Sequence, residues 1–204
     1  MTVVAGFARR EFILGGQKSG KSRRAESLAA AWLAADASHR AVLIATAQAH
    51  DDEMRARIRR HQQERVQRVP ALQTVDMGKV GHGSRDLATA LASQTQAGTL
   101  VMVDCLTLWL THWLMPYTAS DSEHNRPSAQ DWPAQQAHFL EAIAGARGPV
   151  VLVGNEIGLG VIPLGREVRQ FVDALGTLNQ RVAAACDRVT LMAAGLPLCL
   201  KGST

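Results

Sequence analysis

A glycine-rich segment that ends in Lys-Ser is the part of the sequence whose residue types most directly indicate chemistry. It reads GGQKSGKS and fits the pattern G-x-x-x-x-G-K-S without a mismatch. Glycines let backbone N–H groups turn towards phosphate oxygens, and the lysine places a positive charge at the β- and γ-phosphates. The serine hydroxyl is a Mg²⁺ ligand in such loops. We therefore predict a nucleotide site made by Gly15, Gly16, Gln17, Lys18, Ser19, Gly20, Lys21 and Ser22.

A carboxylate follows a second apolar run, LVMVDC, at Asp104. A strand followed by an aspartate is, on its own, more often a turn or a helix cap. Phosphate-binding loops usually have an acidic residue at the end of a neighbouring strand, where it holds Mg²⁺ directly or through water. Next to the intact loop, the metal interpretation is favoured, so Ser22 and Asp104 are the predicted Mg²⁺ ligands.

A cationic helix face is predicted further along, in the stretch DDEMRARIRRHQQER. Glu53, Arg57, His61 and Arg65 are spaced by four residues and so share one face of a helix. Two arginines, one turn away on either side, favour neutral imidazole and attract phosphate. A neutral imidazole can attack phosphorus. Spacing alone favours the alternative of a solvated charged helix.

These residues must be positioned by an α/β fold. Apolar runs predict strands over Phe12–Leu14, Ala41–Ala45, Leu100–Val103, Val150–Val153 and Val189–Met192. Amphipathic runs predict helices over Lys21–Ala35, Asp52–Arg65, Arg85–Gln96, Trp132–Ala144 and Gly165–Ala185. This alternation predicts a P-loop NTPase-like, mostly parallel sheet with helices on both faces. The tail LPLCLKG predicts a short antiparallel strand at the sheet edge.

The last helix shows the clearest core stripe. Its apolar positions recur at helical spacing, which predicts burial of Val168, Phe171, Val172, Leu175, Leu178 and Val182. Residues 1–10 are predicted to be a loose N-terminal extension. Residues 11–204 are predicted to form a single nucleotide-binding catalytic domain, because 204 residues suffice for one core and no linker divides them.

Composition bounds the class of protein. A formal net charge of +4 suits an anionic small molecule and argues only weakly for nucleic acid. The three cysteines form no CxxC pair, which favours buried reduced thiols. The most apolar run, residues 100–115, contains Asp104 and His112 and is too short for a bilayer span. We expect a cytoplasmic protein that binds neither nucleic acid nor membrane.

The sequence resembles the bifunctional adenosylcobinamide kinase / adenosylcobinamide-phosphate guanylyltransferase family of cobalamin biosynthesis. The resemblance is carried, in family order, by GGQKSGKSRRAE, IATAQAHDDEMRARIRRH, VDCLTLWLTHWL, GNEIGLGVIPLGREVRQFVDALGTLNQRVAAACDRV and GLPLCLK. It implies phosphorylation of the aminopropanol hydroxyl of adenosylcobinamide with ATP or GTP. It then implies transfer of GMP from GTP through a histidine phosphoramidate, yielding adenosylcobinamide-GDP, and it suggests a trimer.

The resemblance also assigns residues. The family histidine that takes up GMP corresponds to His61, which with Lys21 is expected to be catalytic. The turn after the second strand adds Thr46, Ala47 and Gln48 to the nucleotide site, and Arg57, Arg65, Asp104 and, less directly, Asp76 complete it. Asn155 and Glu156 are expected in the active site without an assigned role.

Some residues differ from the family pattern, and the role of one residue and the function itself have alternatives. The family Arg-Pro, and the tryptophan after it, are replaced by Arg65-Val66 with no tryptophan following, which affects the expected guanosine contacts. Arg169 is either a surface residue or a phosphate contact. Two alternatives to the bifunctional enzyme are a P-loop kinase of another small alcohol and a non-catalytic nucleotide-binding module. Intact Lys21, Ser22 and Asp104 argue against the second.

Overall fold

The computed structural model describes residues 7–49, 51–77, 86–115 and 129–202. Within these ranges, strands and helices alternate along most of the chain. The strands are β1 (Arg10–Gly15), β2 (Arg40–Ala45), β3 (Gln73–Asp76), β4 (Thr99–Asp104), β5 (Val150–Val153), β6 (Arg188–Ala193) and β7 (Leu196–Lys201). The helices are α1 (Lys21–Ala35), α2 (Asp52–Arg68), α3 (Leu87–Gln94), α4 (Leu106–Leu114), α5 (Trp132–Gly145) and α6 (Arg166–Ala185).

The strands form one sheet in the order β3-β2-β4-β5-β1-β6-β7. Every pairing from β3 to β6 is parallel, and β7 alone runs antiparallel, against β6. The predicted mostly parallel sheet with an antiparallel C-terminal edge strand is confirmed. Because parallel strands point the same way, the loops that follow β1, β2, β4 and β5 meet at one edge of the sheet.

Alternation along the strands separates two apolar layers. Phe12 of β1 belongs to a cluster that includes residues of α3, α4, α5 and α6. Its neighbour Ile13 belongs to a second cluster, which includes Ala25, Leu28, Ala29 and Trp32 of α1. Successive strand residues face opposite sides, so helices cover both faces, as predicted. Among the described residues, no helix is both long and apolar enough to cross a bilayer.

Two elements were not predicted. The β3 strand is a four-residue edge strand with exposed or half-buried side chains, so it carries no apolar signal. The α4 helix is apolar nearly all round, LTLWLTHWL, and buries Leu106, Trp109, Leu110 and Trp113. A helix buried on most sides shows no 3.6-residue periodicity, which explains why the pattern did not reveal it.

The core stripe of α6 is confirmed in part. Phe171, Leu175, Leu178 and Val182 are buried, and Val172 is half-buried. The prediction is wrong for Val168, which is 44% exposed. A 20-residue helix is about 30 Å long, whereas a six-residue strand is only about 20 Å. The first turn of α6 therefore extends past the strands that would cover it.

The residues just before β1 and at its start contact other parts of the fold. Arg10 begins β1, and its guanidinium donates to the carbonyl oxygen of Ile143 at 2.7 Å. The ring of Phe7 packs edge-on against Trp32, with centroids 5.5 Å apart. The division of the chain into a short extension and one domain stays a prediction.

Candidate active site

The predicted phosphate-binding loop joins β1 to α1, at the carboxyl edge of the sheet. Gly15 has φ +151°, and a Cβ there would lie 2.4 Å from the carbonyl oxygen of Met192. Gly20 has φ +100°, and a Cβ there would come within 3.3 Å of Gly195 Cα. Glycine is strongly favoured at both positions, because φ is positive and because the end of β6 and the turn after it press against the loop. Ser19 contacts the same turn, since its carbonyl accepts from the N–H of Gly195 at 3.1 Å.

The Lys21 ammonium lies inside this loop. It is only 8% exposed, and it donates to the carbonyl oxygen of Gly16 at 2.6 Å. Burial lowers the pKa of Lys21, with Cys105 and Asp104 acting in the opposite direction and Arg57 adding to the decrease. Asp104 on β4 and Arg57 on α2 are thus both within electrostatic reach of the lysine. The arrangement is a cationic pocket next to one carboxylate, which suits a nucleotide phosphate chain with a divalent cation.

Asp104 ends β4, where the strand register pairs it with Ala45 of β2 and with Val153 of β5. Asp76 ends β3 and pairs with Ala45 from the other side. The two aspartates are therefore separated by one strand, or about 10 Å across the sheet. The structure places both at the same edge as the loop. The nucleotide contact predicted for Asp76 stays a prediction.

The turn after β2 is held to the end of β4. Thr46 is buried, and its hydroxyl donates to the carbonyl of Cys105 at 2.7 Å and accepts from the Cys105 N–H at 2.8 Å. This pairing occupies the hydroxyl with backbone groups, which fixes the turn next to Asp104. Ala47 and Gln48, both half-buried, continue the chain from there towards α2.

Asn155 and Glu156 lie directly against the loop. The N–H of Glu156 donates to the carbonyl of Gly15 at 3.1 Å. Asn155 is held through its backbone, because its N–H donates to the Thr107 hydroxyl at 2.9 Å and its carbonyl accepts from the Asn179 amide at 3.0 Å. The structure thus brings this predicted pair to the nucleotide edge, with the Asn155 side chain outside these contacts.

A cavity of about 390 Å³ adjoins the loop on the side of β6. The lining combines loop residues, the end of β6 and the segment after β5: Gly16, Gln17, Lys18, Ser19, Glu156, Leu159, Leu191, Met192, Ala193 and Ala194. Asp104 lies at the end of β4, which is separated from β1 by β5, whereas the cavity lies on the β6 side of β1. A phosphate chain across the loop would therefore run from the cavity towards the carboxylate.

His61 is carried by α2, which packs very differently from α1. None of the α2 side chains is buried. His61 is half-buried together with Met54, Ile58 and Arg65, so these residues form the inward side of the helix, while Glu53 and Arg57 are exposed. His61 is one turn from Arg57, or about 6 Å along the helix surface.

Arg65 contacts a carboxylate that the sequence interpretation did not single out. Glu26 of α1 is 4% exposed, and its Oε1 lies 3.6 Å from the Nε of Arg65. Arg68 also donates to Glu26, through its Nη1, and to Glu64 through its Nη2 at 2.6 Å. Arg65 thus has a counterion within the protein, and its predicted phosphate contact stays a prediction. Arg169 binds the backbone carbonyls of Pro163 and Leu164, at the entry to α6.

The described residues contain no cluster of three or more His, Cys, Asp or Glu side chains that would form a metal site by itself. Mg²⁺ does not need one, because it usually binds one or two protein oxygens together with phosphate and water. The hydroxyl of Ser22 and the carboxylate of Asp104 are hard oxygen donors of the required kind. The donor chemistry therefore fits a nucleotide-dependent Mg²⁺ site.

Three residues that support the site through other residues were missed from the sequence: Glu26, Thr107 and Asn179. Glu26 interrupts the apolar inner side of α1, and a charge on such a stripe is a usable signal. Asn179 likewise interrupts the buried stripe of α6. Thr107 lies in a helix that was itself missed, so no signal could have placed it.

Comparison with known proteins gives consistent matches over nearly the whole chain. The family model described as cobinamide kinase / cobinamide phosphate guanyltransferase matches residues 11–200. The chain is 42% identical to the bifunctional adenosylcobalamin biosynthesis protein CobP of Pseudomonas aeruginosa, over 95% of this chain and 98% of the relative. It is 34% identical to the bifunctional adenosylcobalamin biosynthesis protein CobU of Salmonella typhimurium, over 93% and 98%, respectively. With the loop, Asp104 and the sheet topology all in place, this chain belongs to the cobinamide kinase / cobinamide phosphate guanyltransferase family.

Proposed function

We propose that this protein carries out two consecutive transfers in adenosylcobalamin biosynthesis. It phosphorylates adenosylcobinamide with ATP or GTP, and it then transfers GMP from GTP to adenosylcobinamide phosphate, giving adenosylcobinamide-GDP. The observation that carries the proposal is the placement of two kinds of group side by side. The phosphate loop has Arg57 of α2 within electrostatic reach of its Lys21, and His61 follows Arg57 by one turn of that helix.

The kinase step needs positioning and charge neutralisation. The hydroxyl oxygen of the aminopropanol group attacks the γ-phosphorus, the bond from that phosphorus to the bridging oxygen breaks, and the nucleoside diphosphate and a proton leave. Lys21 and the loop N–H groups bind the phosphates and offset the charge that develops. Mg²⁺, held by Ser22 and Asp104, would add charge neutralisation at the same oxygens when bound.

The second step uses His61 as the nucleophile. Its neutral imidazole attacks the α-phosphorus of GTP, a phosphorus–nitrogen bond forms, and pyrophosphate leaves. A phosphate oxygen of adenosylcobinamide phosphate then attacks the same phosphorus, and the bond to nitrogen breaks. We expect Arg57 to stabilise the phosphates during both attacks, because it is exposed and within electrostatic reach of Lys21. The two half-reactions leave His61 as it began.

Three further properties belong to the proposal. Mg²⁺ is expected to accompany the nucleotide at Ser22 and Asp104. A trimer is expected from the family resemblance, and a cytoplasmic location is expected from the sequence. Ultracentrifugation of the purified protein would test the trimer.

Protein labelling tests the function. The protein is incubated with GTP labelled at the α-phosphate, digested, and the labelled peptide is sequenced. Label should appear on the peptide containing His61, should be lost in acid and kept in base, and should move to the corrinoid when adenosylcobinamide phosphate is added. His138→Asn is the matched control, since His138 is an exposed histidine of α5. Label that maps to a peptide without His61 would overturn the assignment.

A further inference from the structure

The attachment of α2 to the rest of the protein rests on very few contacts. The helix has 17 residues and buries none of their side chains. A surface helix of this length normally buries an apolar stripe, which supplies most of its tertiary stability. The apolar residues on the inward side of α2, Met54 and Ile58, are only half-buried, so the polar contacts on that side contribute a large share of its attachment.

The strongest of these contacts converge on one carboxylate. Glu26 of α1 is 4% exposed, and both its oxygens face arginines of α2: Arg65 at 3.6 Å and Arg68 by hydrogen bond. The Arg65 side chain is itself only 12% exposed. A buried carboxylate is costly without counterions, and a buried guanidinium is costly without an anion, so each fixes the other in place.

The cluster of Glu26, Arg65 and Arg68 connects α1, which follows the phosphate loop, to α2, which carries His61. Glu26 lies one helical turn after Ser22 in α1, so it is rigidly connected to the phosphate loop. Arg65 lies one turn after His61 in α2, and Arg57 lies one turn before it, within electrostatic reach of Lys21. His61 is therefore bracketed between two points at which α2 faces α1.

We propose that Glu26 is a positioning residue that holds His61 at the phosphate loop, by binding Arg65 and Arg68 on the far side of the histidine. It acts through α2 and touches neither nucleotide nor corrinoid. The role of His61 as the GMP carrier rests on the proposed function, whereas the attachment of α2 by Glu26 does not. In this proposal the role of Arg65 is to bind Glu26, whereas its position one turn from His61 had suggested a phosphate contact.

The first test does not depend on any activity. Hydrogen exchange of α2 amides is measured in the wild type, in Glu26→Gln and in Glu64→Gln. The glutamate-to-glutamine change keeps the shape and removes the charge. Glu64→Gln is the matched control, because it also removes a carboxylate from Arg68 but leaves Glu26 in place. Exchange in α2 should rise at least about tenfold in Glu26→Gln, since hydrogen bonds to charged groups contribute on this scale, and should stay near wild type in the control.

The second test measures function. Glu26→Gln should lower guanylylation about tenfold while kinase turnover stays within about twofold, because the loop itself is unchanged. A double-mutant cycle then asks whether Glu26 acts through the arginines. In the Arg65→Gln/Arg68→Gln background, Glu26→Gln should not lower guanylylation further, because that background already lacks the ion pairs and the added change removes a carboxylate left without counterions.

The attachment of α2, the action through Arg65 and Arg68, and the proposed function are each overturned by a different outcome. Unchanged α2 exchange in Glu26→Gln would overturn the attachment, and so would an equal loss of kinase and guanylylation in a folded variant. If Glu26→Gln lowers guanylylation in the Arg65→Gln/Arg68→Gln background as much as it does in the wild type, Glu26 does not act through these two arginines and the proposal is overturned. If even the wild type takes up no GMP, the proposed function fails while the exchange result still decides the attachment.

Discussion

The two helices that carry the proposed chemistry differ in how they are attached to the sheet. Helix α1, which begins at Lys21, buries Ala25, Leu28, Ala29 and Trp32 in the apolar layer beneath it. Helix α2, which carries His61, buries no side chain and faces α1 mainly through charged groups. The predicted phosphate-binding part is thus built on the core, and the helix of the proposed nucleophile is attached next to it by ion pairs.

The difference indicates that the two helices meet different requirements of the proposed reactions. A loop that must bind phosphates in both reactions benefits from being preformed, because no binding energy is then used to order it. A histidine that, as proposed, first attacks GTP and then presents GMP to a second substrate benefits from a helix with fewer constraints. Elements that move in function are generally taken from the weakly packed parts of a fold.

The largest expected effect is on stability and tests the comparison directly. Trp32→Ala removes a side chain that is 4% exposed and whose indole N–H donates to the Arg40 carbonyl at 3.1 Å. We expect a loss of about 3–5 kcal/mol in the free energy of unfolding. Ile58→Ala on the half-buried side of α2 should cost less than about 1.5 kcal/mol, because less apolar area leaves the water there. Urea unfolding of both variants measures the two losses, and similar values would refute the contrast between the helices.

The next effect concerns activity and sharpens the role of α1. Lys21→Ala should lower both kinase and transferase turnover by about 10²-fold or more, because it removes a preorganised charge at the phosphates. The control is Lys201→Ala, which changes an exposed lysine of β7 whose ammonium donates to the carbonyls of Ala183 and Ala184 at the end of α6. Turnover of both reactions is measured at saturating nucleotide. Near-normal rates for Lys21→Ala would reject the phosphate-loop assignment.

A smaller effect is expected at the metal. Asp104→Asn keeps the shape of the side chain and removes its charge, so the melting temperature should stay close to that of the wild type. The Mg²⁺ concentration needed for half-maximal kinase activity should rise about tenfold, the scale of one lost charge-assisted contact. Titration of kinase activity with Mg²⁺ tests this. An unchanged requirement would instead make Asp104 a structural residue at the end of β4.

Sequence patterns predicted the parts of the fold whose signals are local. The apolar runs of β1, β2, β4, β5 and β6 and the start of α1 at Lys21 were found, because strands buried on both faces are continuously apolar and the loop motif marks the helix start. The polar edge strand β3 and the all-apolar helix α4 were missed, because neither has the periodicity of its class.

The site could be predicted only where one residue type implies one kind of chemistry. The structure gathers Gly15 to Ser22, Asp104 and the pair Asn155-Glu156 at one edge. The loop and Asp104 were predicted from their residue types and the pair from the family resemblance, and their contacts with a nucleotide stay predictions. The partners of Arg65 could not be found, because the ion pair with Glu26 joins residues 39 positions apart and its burial depends on the packing of two helices. Long-range charge pairing leaves no spacing in the sequence to detect.

The most direct test of the account compares the two turnovers of His61→Asn. Kinase activity is measured with adenosylcobinamide and ATP, and transfer is measured separately with adenosylcobinamide phosphate and GTP. The account predicts that transfer falls below detection, because the nucleophile is absent, while kinase turnover persists, because Lys21, Ser22 and Asp104 lie on elements of the core that the change does not touch. Transfer at the wild-type rate would contradict the account, and so would an equal loss of both activities in a folded protein.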